Sequence, residues 1–196
     1  MILQSGNVKV AILAFAEREF SIAGTHSPGA APLDVIENVR QIEEAKSLGH
    51  IVIITVHGGN EYFRYPRPGL RRVCRFYIDL GVHAVICHHP HVAGAFEIYK
   101  ERPIFYSLGN LIFDHTKPPP GWNDGYAVKL TFAASNRRVQ VISQEIIPYE
   151  QSFEAGGVEK LSKGRREAYL QKLEQMRDVL ADEDLACPTK RYQSLS

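Results

Sequence analysis

The chain has little cysteine and no long apolar run. Its three cysteines, Cys74, Cys87 and Cys187, are odd in number and widely spaced, so they do not indicate a disulfide-rich fold. No apolar run reaches the roughly 18 residues that a membrane-spanning helix needs. The first residues lack the basic and apolar segments of a signal peptide. These absences predict a cytoplasmic protein without a membrane span.

An excess of charge of either sign is also missing. The 23 Lys and Arg residues against 22 Asp and Glu residues give a formal net charge of +1. This balance provides no basic surface for nucleic acid. The length of 196 residues and the hydrophobic content of 44% suit one globular domain with a real core. We therefore expect a globular protein that does not bind nucleic acid.

Aspartate is absent from the beginning of the chain. The first one is Asp34, which stands at the start of a predicted helix, so the early carboxylates are Glu17 and Glu19. A site with two metal ions needs groups that hold both ions together. The sequence therefore leaves open whether a complete dinuclear metal site is present.

The first part of the chain alternates strand and helix patterns. Apolar runs at 8–16, 51–56 and 82–87 have the length and composition of strands that are buried on both faces. Helical spacing of apolar residues links them, first between Asp34 and Gly49 and then over 68–80. This order predicts a parallel βαβαβ sheet.

The second part has a different pattern. Short strand-like runs at 96–99, 104–106, 126–132 and 139–147 predict antiparallel strands packed on the first part. Apolar residues at helical spacing within 160–182 predict a charged C-terminal helix. We therefore expect an α/β fold, with residues 1–150 in one domain and 151–196 in a charged helical tail.

Histidines are concentrated where two predicted strands end. His57 follows the second strand, with Glu61 four residues later, and the third strand leads into Cys87-His88-His89-Pro90-His91. Alternate side chains of an extended segment share a face, so His89 and His91 can converge on one ion while His88 points elsewhere. Parallel strands end at a common edge, so this pattern predicts a metal or phosphate site there. Imidazole and carboxylate donors suit zinc, manganese or iron.

Structural roles are the alternative for several of these residues. A lone histidine after a strand is more often hydrogen-bonded than a ligand, and Cys87 is typical of a small buried hydrophobic residue. Asn110 can orient a phosphate, a water or only a backbone turn. The other candidates at this edge, each with an ordinary structural alternative, are Glu17, Glu19, Arg64, Arg67, Asp114, His115 and the loop that carries the only tryptophan, Trp122.

Four segments carry a resemblance when they are taken together and in order. They are His57-Gly58-Gly59-Asn60-Glu61-Tyr62, Phe76-Tyr77-Ile78-Asp79-Leu80-Gly81, His88-His89-Pro90-His91-Val92 and Pro103-Ile104-Phe105-Tyr106-Ser107-Leu108-Gly109-Asn110. Over roughly residues 8 to 148 the chain resembles the bacterial CapA family of capsule and poly-γ-glutamate synthesis proteins. That family belongs to the calcineurin-like metallophosphoesterase superfamily. Leu111 and Cys87 depart from its usual residues.

The resemblance implies a fold, a metal and a set of site residues. The fold is an αββα sandwich of two sheets flanked by helices, and the cofactor is a divalent ion, Mn, Fe or Zn. The implied metal ligands are His57, Glu61, His89 and His91. The implied catalytic residues are His57, Glu61, His88 and Asn110.

The chain lacks the early Asp pair and the Asn-His motif of the family's first half. Without a bridging carboxylate, two ions about 3.5–4 Å apart lose their clamp, which leaves a single ion as the alternative. Three interpretations stay open. The chain is the C-terminal portion of a CapA-like metal-dependent hydrolase, a mononuclear hydrolase that uses Glu61, or a non-catalytic metal-binding remnant that forms a homodimer. The expected substrate is an anionic polymer or a phosphoester.

Overall fold

The computed structural model describes residues 1–113, 115, 117–135, 138–152 and 156–182. Two sheets and three helices make up these ranges. The strands are β1 (Ile2–Ser5), β2 (Val8–Ala16), β3 (Ile51–His57), β4 (Ala84–His88), β5 (Phe96–Tyr99), β6 (Arg102–Phe105), β7 (Asp124–Ser135), β8 (Arg138–Ser152) and β9 (Gly157–Lys160). The helices are α1 (Val35–Leu48), α2 (Pro68–Asp79) and α3 (Lys163–Ala181).

The larger sheet has six strands in the order β1-β2-β3-β4-β6-β5. Its four central strands are parallel, and β1 and β5 add antiparallel edges. Two successive right-handed crossovers place α1 and α2 on the same face. The two helices contact each other there, because the Tyr77 hydroxyl donates to Oδ1 of buried Asn38 at 2.6 Å. On the same face, the Sγ atoms of Cys74 and Cys87 lie 3.7 Å apart.

The helix ends follow from local chemistry. Asp34 caps α1, since its carboxylate accepts hydrogen bonds from the backbone N–H groups of Ile36 and Glu37. Pro68 starts α2 at a position where a backbone N–H has no partner within the helix. Gly81, with φ of +100°, follows the end of α2 and turns the chain towards β4. The predicted βαβαβ order is confirmed.

The smaller sheet, β7-β8-β9, is antiparallel and covers the other face of the larger sheet. Tyr126 of β7 packs on Phe105 of β6, with ring centroids 6.2 Å apart. The Tyr126 hydroxyl also donates to the Gly94 carbonyl at 3.2 Å. Cys87 lies on the face of the sheet that the helices cover, so the neighbouring residue Ile86 lies on the other face. Phe105 is the register partner of Ile86 and shares that other face. The helices α1 and α2 therefore lie on the face opposite the small sheet, whereas α3 contacts both β5 and β8.

The α/β class is confirmed, with a parallel part, antiparallel strands and a C-terminal helix. One detail of the prediction was wrong. The segments at 96–99 and 104–106 do not belong to a separate antiparallel sheet, because β6 lies parallel to β4 and β5 pairs with β6. The strands β1 and β9 were not predicted.

A buried ion cluster anchors the C-terminal helix. Glu97 of β5, 6% exposed, accepts hydrogen bonds from Arg71 and Arg75 of α2 and from the Tyr106 hydroxyl. Arg71 also donates to the carbonyl of Leu180 in α3 at 2.6 Å. Burial raises the pKa of Glu97, but these hydrogen bonds outweigh it and leave the pKa below its ordinary value. The cluster ties β5, α2 and α3 together.

None of the described helices is both long and apolar enough to cross a membrane. Cys74 and Cys87 are buried and not joined in a disulfide. Cys187 and the end of the predicted tail lie outside the described residues.

Candidate metal centre

The carboxyl ends of the parallel strands bring the predicted site residues to one edge of the large sheet. β3 ends at His57 and β4 ends at His88, and these two residues are register partners. The loops that follow are joined to each other, because the Tyr62 N–H donates to the Pro90 carbonyl at 2.8 Å. Polar side chains from both loops therefore face the same region, as the parallel order requires.

Glu61, His89 and His91 form a group with metal-binding geometry. Their ligand atoms all lie within 4.8 Å of one another. Glu61 is exposed and the two histidines are half-buried, so the group borders both solvent and protein. One carboxylate and two imidazoles match the donor types of zinc, manganese and iron sites. The donor set thus fits the divalent ion that the sequence predicts.

The backbone of the histidine loop is held in an unusual conformation. His89 has φ of +108° and His91 has φ of +62°, in the left-handed region that costs a residue with a side chain about 1–3 kcal/mol. Pro90 between them is buried and fixes its own φ. The surrounding loops hold this strained segment, which aims both imidazoles at Glu61.

Asn110 fixes the proton position on His91. Its Nδ2 donates to the Trp122 carbonyl at 3.1 Å, which orients Oδ1 towards His91 Nδ1 at 2.9 Å. Because an amide oxygen only accepts hydrogen bonds, His91 carries its proton on Nδ1 and leaves Nε2 open for a ligand. The Trp122 ring stacks on His91 with centroids 4.9 Å apart. Asn110 therefore acts on the site through His91.

His57 and His88 adjoin the three-residue group without belonging to it. The His57 ring centroid lies 5.2 Å from that of His89, and the Phe20 ring contacts both rings edge-on. His57 is exposed at the end of β3, but the partial desolvation of its ring and then the charges of His89 and His91 lower its pKa. Burial and the charge of His57 lower the pKa of His88. In both residues the lowered pKa favours the neutral imidazole.

Burial is also the largest effect on His89. It lowers the pKa of His89 together with the charge of His91, against the opposing charges of Glu61, Glu19 and Glu17. A neutral imidazole is the form that binds a metal ion. The electrostatics of the group therefore favour its ligating state.

Glu17 supports the loop after β3. Its carboxylate accepts a hydrogen bond from the Gly59 N–H at 2.9 Å and pairs with Arg67. A Cβ on Gly58 would lie 2.6 Å from the Glu17 side chain, so a larger residue there would displace the carboxylate from its hydrogen bonds. Arg64 is likewise engaged, since its Nη1 donates to the Ala93 carbonyl at 2.7 Å. These contacts hold the loops in place.

Sequence reasoning did not find Phe20 or Gln151. Gln151 binds the backbone of Phe113 through both ends of its amide and also donates to the Trp122 carbonyl. It lies on β8, far along the chain from the site, and nothing in the local sequence marks it. The tryptophan loop does border the site, and His115 lies 4.8 Å from the Trp122 ring. Asp114 lies outside the described residues.

The chain matches the family model described as "Bacterial capsule synthesis protein PGA_cap" over residues 1–115. This range contains the three-residue group and Asn110. The chain is also similar to "Capsule biosynthesis protein CapA" of Bacillus anthracis, with 34% identity over 121 residues. Against "PGA biosynthesis protein CapA" of Bacillus subtilis (strain 168), the identity is 36% over 118 residues. Each alignment covers 59% of this chain.

The chain spans 28% and 30% of the lengths of these two relatives. Among solved structures, it is weakly similar to a Staphylococcus aureus protein described as a 5'-nucleotidase. The TM-score is 0.48 at 15% identity, over 89% of this chain and 33% of the other. The family match extends over more than half of the chain, and the two CapA relatives agree with it. The chain therefore belongs to the bacterial capsule synthesis protein family PGA_cap.

Proposed function

We propose that this chain forms the metal-binding portion of a CapA-like protein of capsule or poly-γ-glutamate synthesis. Glu61, His89 and His91 would hold one divalent ion, Mn, Fe or Zn, and the substrate would be an anionic polymer or a phosphoester. The convergence of three ligand atoms within 4.8 Å carries this proposal. The names of the two CapA relatives support the biological role. A cytoplasmic location, expected from the scattered cysteines, is part of the same proposal.

The residues around the ion have distinct roles in this proposal. A bound divalent ion supplies Lewis-acid polarisation of a phosphoryl or carbonyl oxygen. Asn110 holds His91 in the tautomer that presents Nε2. His57, exposed at the end of β3, and His88 behind it are neutral bases that can take up a proton. Glu61 serves as a ligand or, in the mononuclear interpretation, as the general base.

A single ion suits the site better than two. Among the described residues, Glu61 is the one carboxylate grouped with the histidines. Glu17, the nearby alternative, already accepts hydrogen bonds from Gly59 and Arg67. A clamp on two ions needs a group that both ions share. His57 lies beside His89 but outside the three-residue group. The metal-ligand role predicted for His57 therefore requires its ring to turn towards Glu61, His89 and His91.

The second candidate function is a non-catalytic remnant that binds metal or forms a homodimer. Two observations favour it: Glu61 is the single carboxylate grouped with the histidines, and β1 is an outermost strand of the large sheet. In β1, the side chains of Ile2 and Leu3 are 45% and 48% exposed. Among the described strands, none pairs with the outer side of β1, and an exposed edge strand is a surface for pairing with a second chain.

Metal content tests the proposal directly. We expect the purified full chain, loaded with Zn²⁺ or Mn²⁺ and desalted, to retain about one ion per chain, as a three-residue site implies. His89→Ala should lose this ion. His26→Ala is the matched control, because His26 is an exposed histidine in the loop after β2. Retention of the ion by His89→Ala, or no bound ion in the folded protein, would contradict the proposal.

Turnover and association distinguish the two candidate functions. The metal-loaded chain would be assayed for hydrolysis of bis-p-nitrophenyl phosphate and of poly-γ-glutamate. Turnover that disappears in His57→Ala supports the hydrolase. Metal binding without turnover, with a dimer in sedimentation that Leu3→Lys dissociates, supports the remnant.

A further inference from the structure

A second concave site lies at the amino-terminal ends of the parallel strands, opposite the candidate metal centre. This cleft has a volume of about 860 Å³, within the range of small-ligand sites. It opens where β3 and β4 begin and where the helix–strand loops return to the sheet. Its lining consists of Lys46, Gly49, His50, Val52, Gly81, His83, Lys100, Glu101, Arg102, Gln140 and Val141.

The cleft is separate from the candidate metal centre. The metal centre is built after the carboxyl ends of β3 and β4, and the cleft lies at their amino ends. β3 has 7 residues, and a strand rises about 3.3 Å per residue, so the two sites are roughly 20 Å apart. No residue of the cleft belongs to the three-residue group.

Two histidines in the cleft are fixed as hydrogen-bond donors. The backbone N–H of Lys9 donates to His50 Nδ1 at 3.1 Å, and that of Val52 donates to His83 Nδ1 at 3.1 Å. An Nδ1 that accepts a hydrogen bond carries no proton, so each neutral ring carries its proton on Nε2. Burial and then the charge of Arg102 lower the pKa of His83 to about 4, so this ring stays neutral at pH 7.

The charged side chains of the cleft add further donors. The lining contains three cationic residues, Lys46, Lys100 and Arg102, and one acidic residue, Glu101. Salt bridges to acids outside the lining hold the two lysines in place: Glu43 lies 2.8 Å from Lys46 and Asp79 lies 2.6 Å from Lys100. Both ammonium groups have three N–H donors, so each retains donors beyond its salt bridge.

The guanidinium of Arg102 is anchored in a similar way. Its Nη1 donates to the Val82 carbonyl at 2.7 Å. A guanidinium has five N–H donors, so this bond fixes the group while leaving others for a ligand. The lining therefore combines three cationic side chains and two imidazole N–H donors with one carboxylate, Glu101. The carboxylates of Glu43 and Asp79 beside the lining balance the charges of the two lysines, so the excess is one of N–H donors.

From this excess of donors we infer that the cleft binds an oxyanion, a phosphate or a carboxylate group of a ligand. Arg102 would bind the oxyanion from the floor of the cleft, with Lys46 and Lys100 at its more exposed rim. The site goes beyond the proposed metal centre and does not depend on it. The ligand is either a small phosphate compound or a segment of a carboxylate-bearing polymer.

Titration calorimetry on the full chain tests this inference. The protein would be treated with EDTA to exclude metal binding and then titrated with inorganic phosphate and, separately, with a short γ-linked glutamate oligomer. The double variant Lys46→Gln/Lys100→Gln removes two exposed charges and should bind about tenfold more weakly or worse, because hydrogen bonds to charged groups contribute strongly. Lys129→Gln, on the exposed outer side of β7, is the matched control.

Two results support the site and identify its ligand. Phosphate binding that the double variant weakens indicates a small oxyanion, and much tighter binding of the oligomer indicates a polymer segment. The absence of binding by both probes, or a double variant that binds like the Lys129→Gln control, would overturn the inference. His89→Ala separates the two sites, since it should lose the metal ion and keep the anion.

Discussion

Replacement of Asn110 by alanine is expected to weaken metal binding without unfolding the protein. The Asn110 side chain is 8% exposed and links His91 to the Trp122 carbonyl. Asn110→Ala removes both hydrogen bonds. The His91 ring would stay stacked on Trp122, but nothing would hold its proton on Nδ1. Fewer molecules would then present Nε2 to the ion.

The expected loss follows from the kind of contact removed. Loss of a group that orients a metal-binding histidine typically lowers metal affinity 10–100-fold, which is about 1.4–2.8 kcal/mol. Gln151 still donates to the Trp122 carbonyl, so the His91 N–H is the group that loses its partner, at a cost of about 1–3 kcal/mol of folding stability. Asn110→Asp separates the two effects. It keeps an acceptor for His91 but places a carboxylate against a carbonyl, so affinity should persist while stability falls.

The assay is a competition titration of Zn²⁺ against a chelator, with urea unfolding run in parallel. Asn7→Ala is the matched control, because Asn7 lies exposed in the turn between β1 and β2. Nitrogen-15 NMR of the imidazoles in the metal-free protein reports the tautomer of His91. A wild-type His91 with its proton on Nε2, or an Asn110→Ala affinity equal to that of the control, would refute this reasoning.

Three further changes test the rest of the structure by urea unfolding. Glu97→Gln removes the buried carboxylate that accepts hydrogen bonds from half-buried Arg71 and Arg75 and should destabilise the fold by about 2–3 kcal/mol; a loss as small as that of an exposed substitution would contradict the role of this cluster. The pKa of His83 is about 4 in the folded chain against an ordinary 6.5, so the folded state binds fewer protons than the unfolded one. The full shift would correspond to about 3.4 kcal/mol, but solvent screens this partly exposed ring, so stability present above pH 6.5 should fall by about 2 kcal/mol as the pH decreases towards 4. His83→Asn should lack this part of the decrease. Gly58→Ala would displace the Glu17 carboxylate from Gly59 and Arg67 and cost about 1 kcal/mol, whereas Gly164→Ala, with open space around it, should be harmless.

The parallel part of the fold was predictable because its signals are local. Apolar runs of strand length, the Asp34 cap and the glycines after α1 and α2 all lie within the elements that they define. The antiparallel strands β5 and β6 were also predicted, but their place in the large sheet was not, because the parallel pairing of β6 with β4 depends on tertiary contacts. For β1, the two-residue turn Gly6-Asn7 is the signal that could have located it.

In the candidate site, too, some features follow from local sequence signals and others depend on tertiary packing. The approach of Glu61 to the two histidines follows from strands that end at one edge, which a sequence pattern can express. The contacts of Trp122 and Gln151 depend on how the small sheet packs against the large one, and this packing has no local signature. The strained φ values of His89 and His91 also arise from tertiary contacts.

Anomalous diffraction from a Zn²⁺-loaded crystal, recorded at the zinc edge, tests the central claim most directly. We predict one strong peak about 2.0–2.2 Å from a carboxylate oxygen of Glu61 and from a ring nitrogen of His89. The same peak should lie against Nε2 of His91, whose Nδ1 remains hydrogen-bonded to Asn110. A strongest peak that lies away from these three residues would contradict the account.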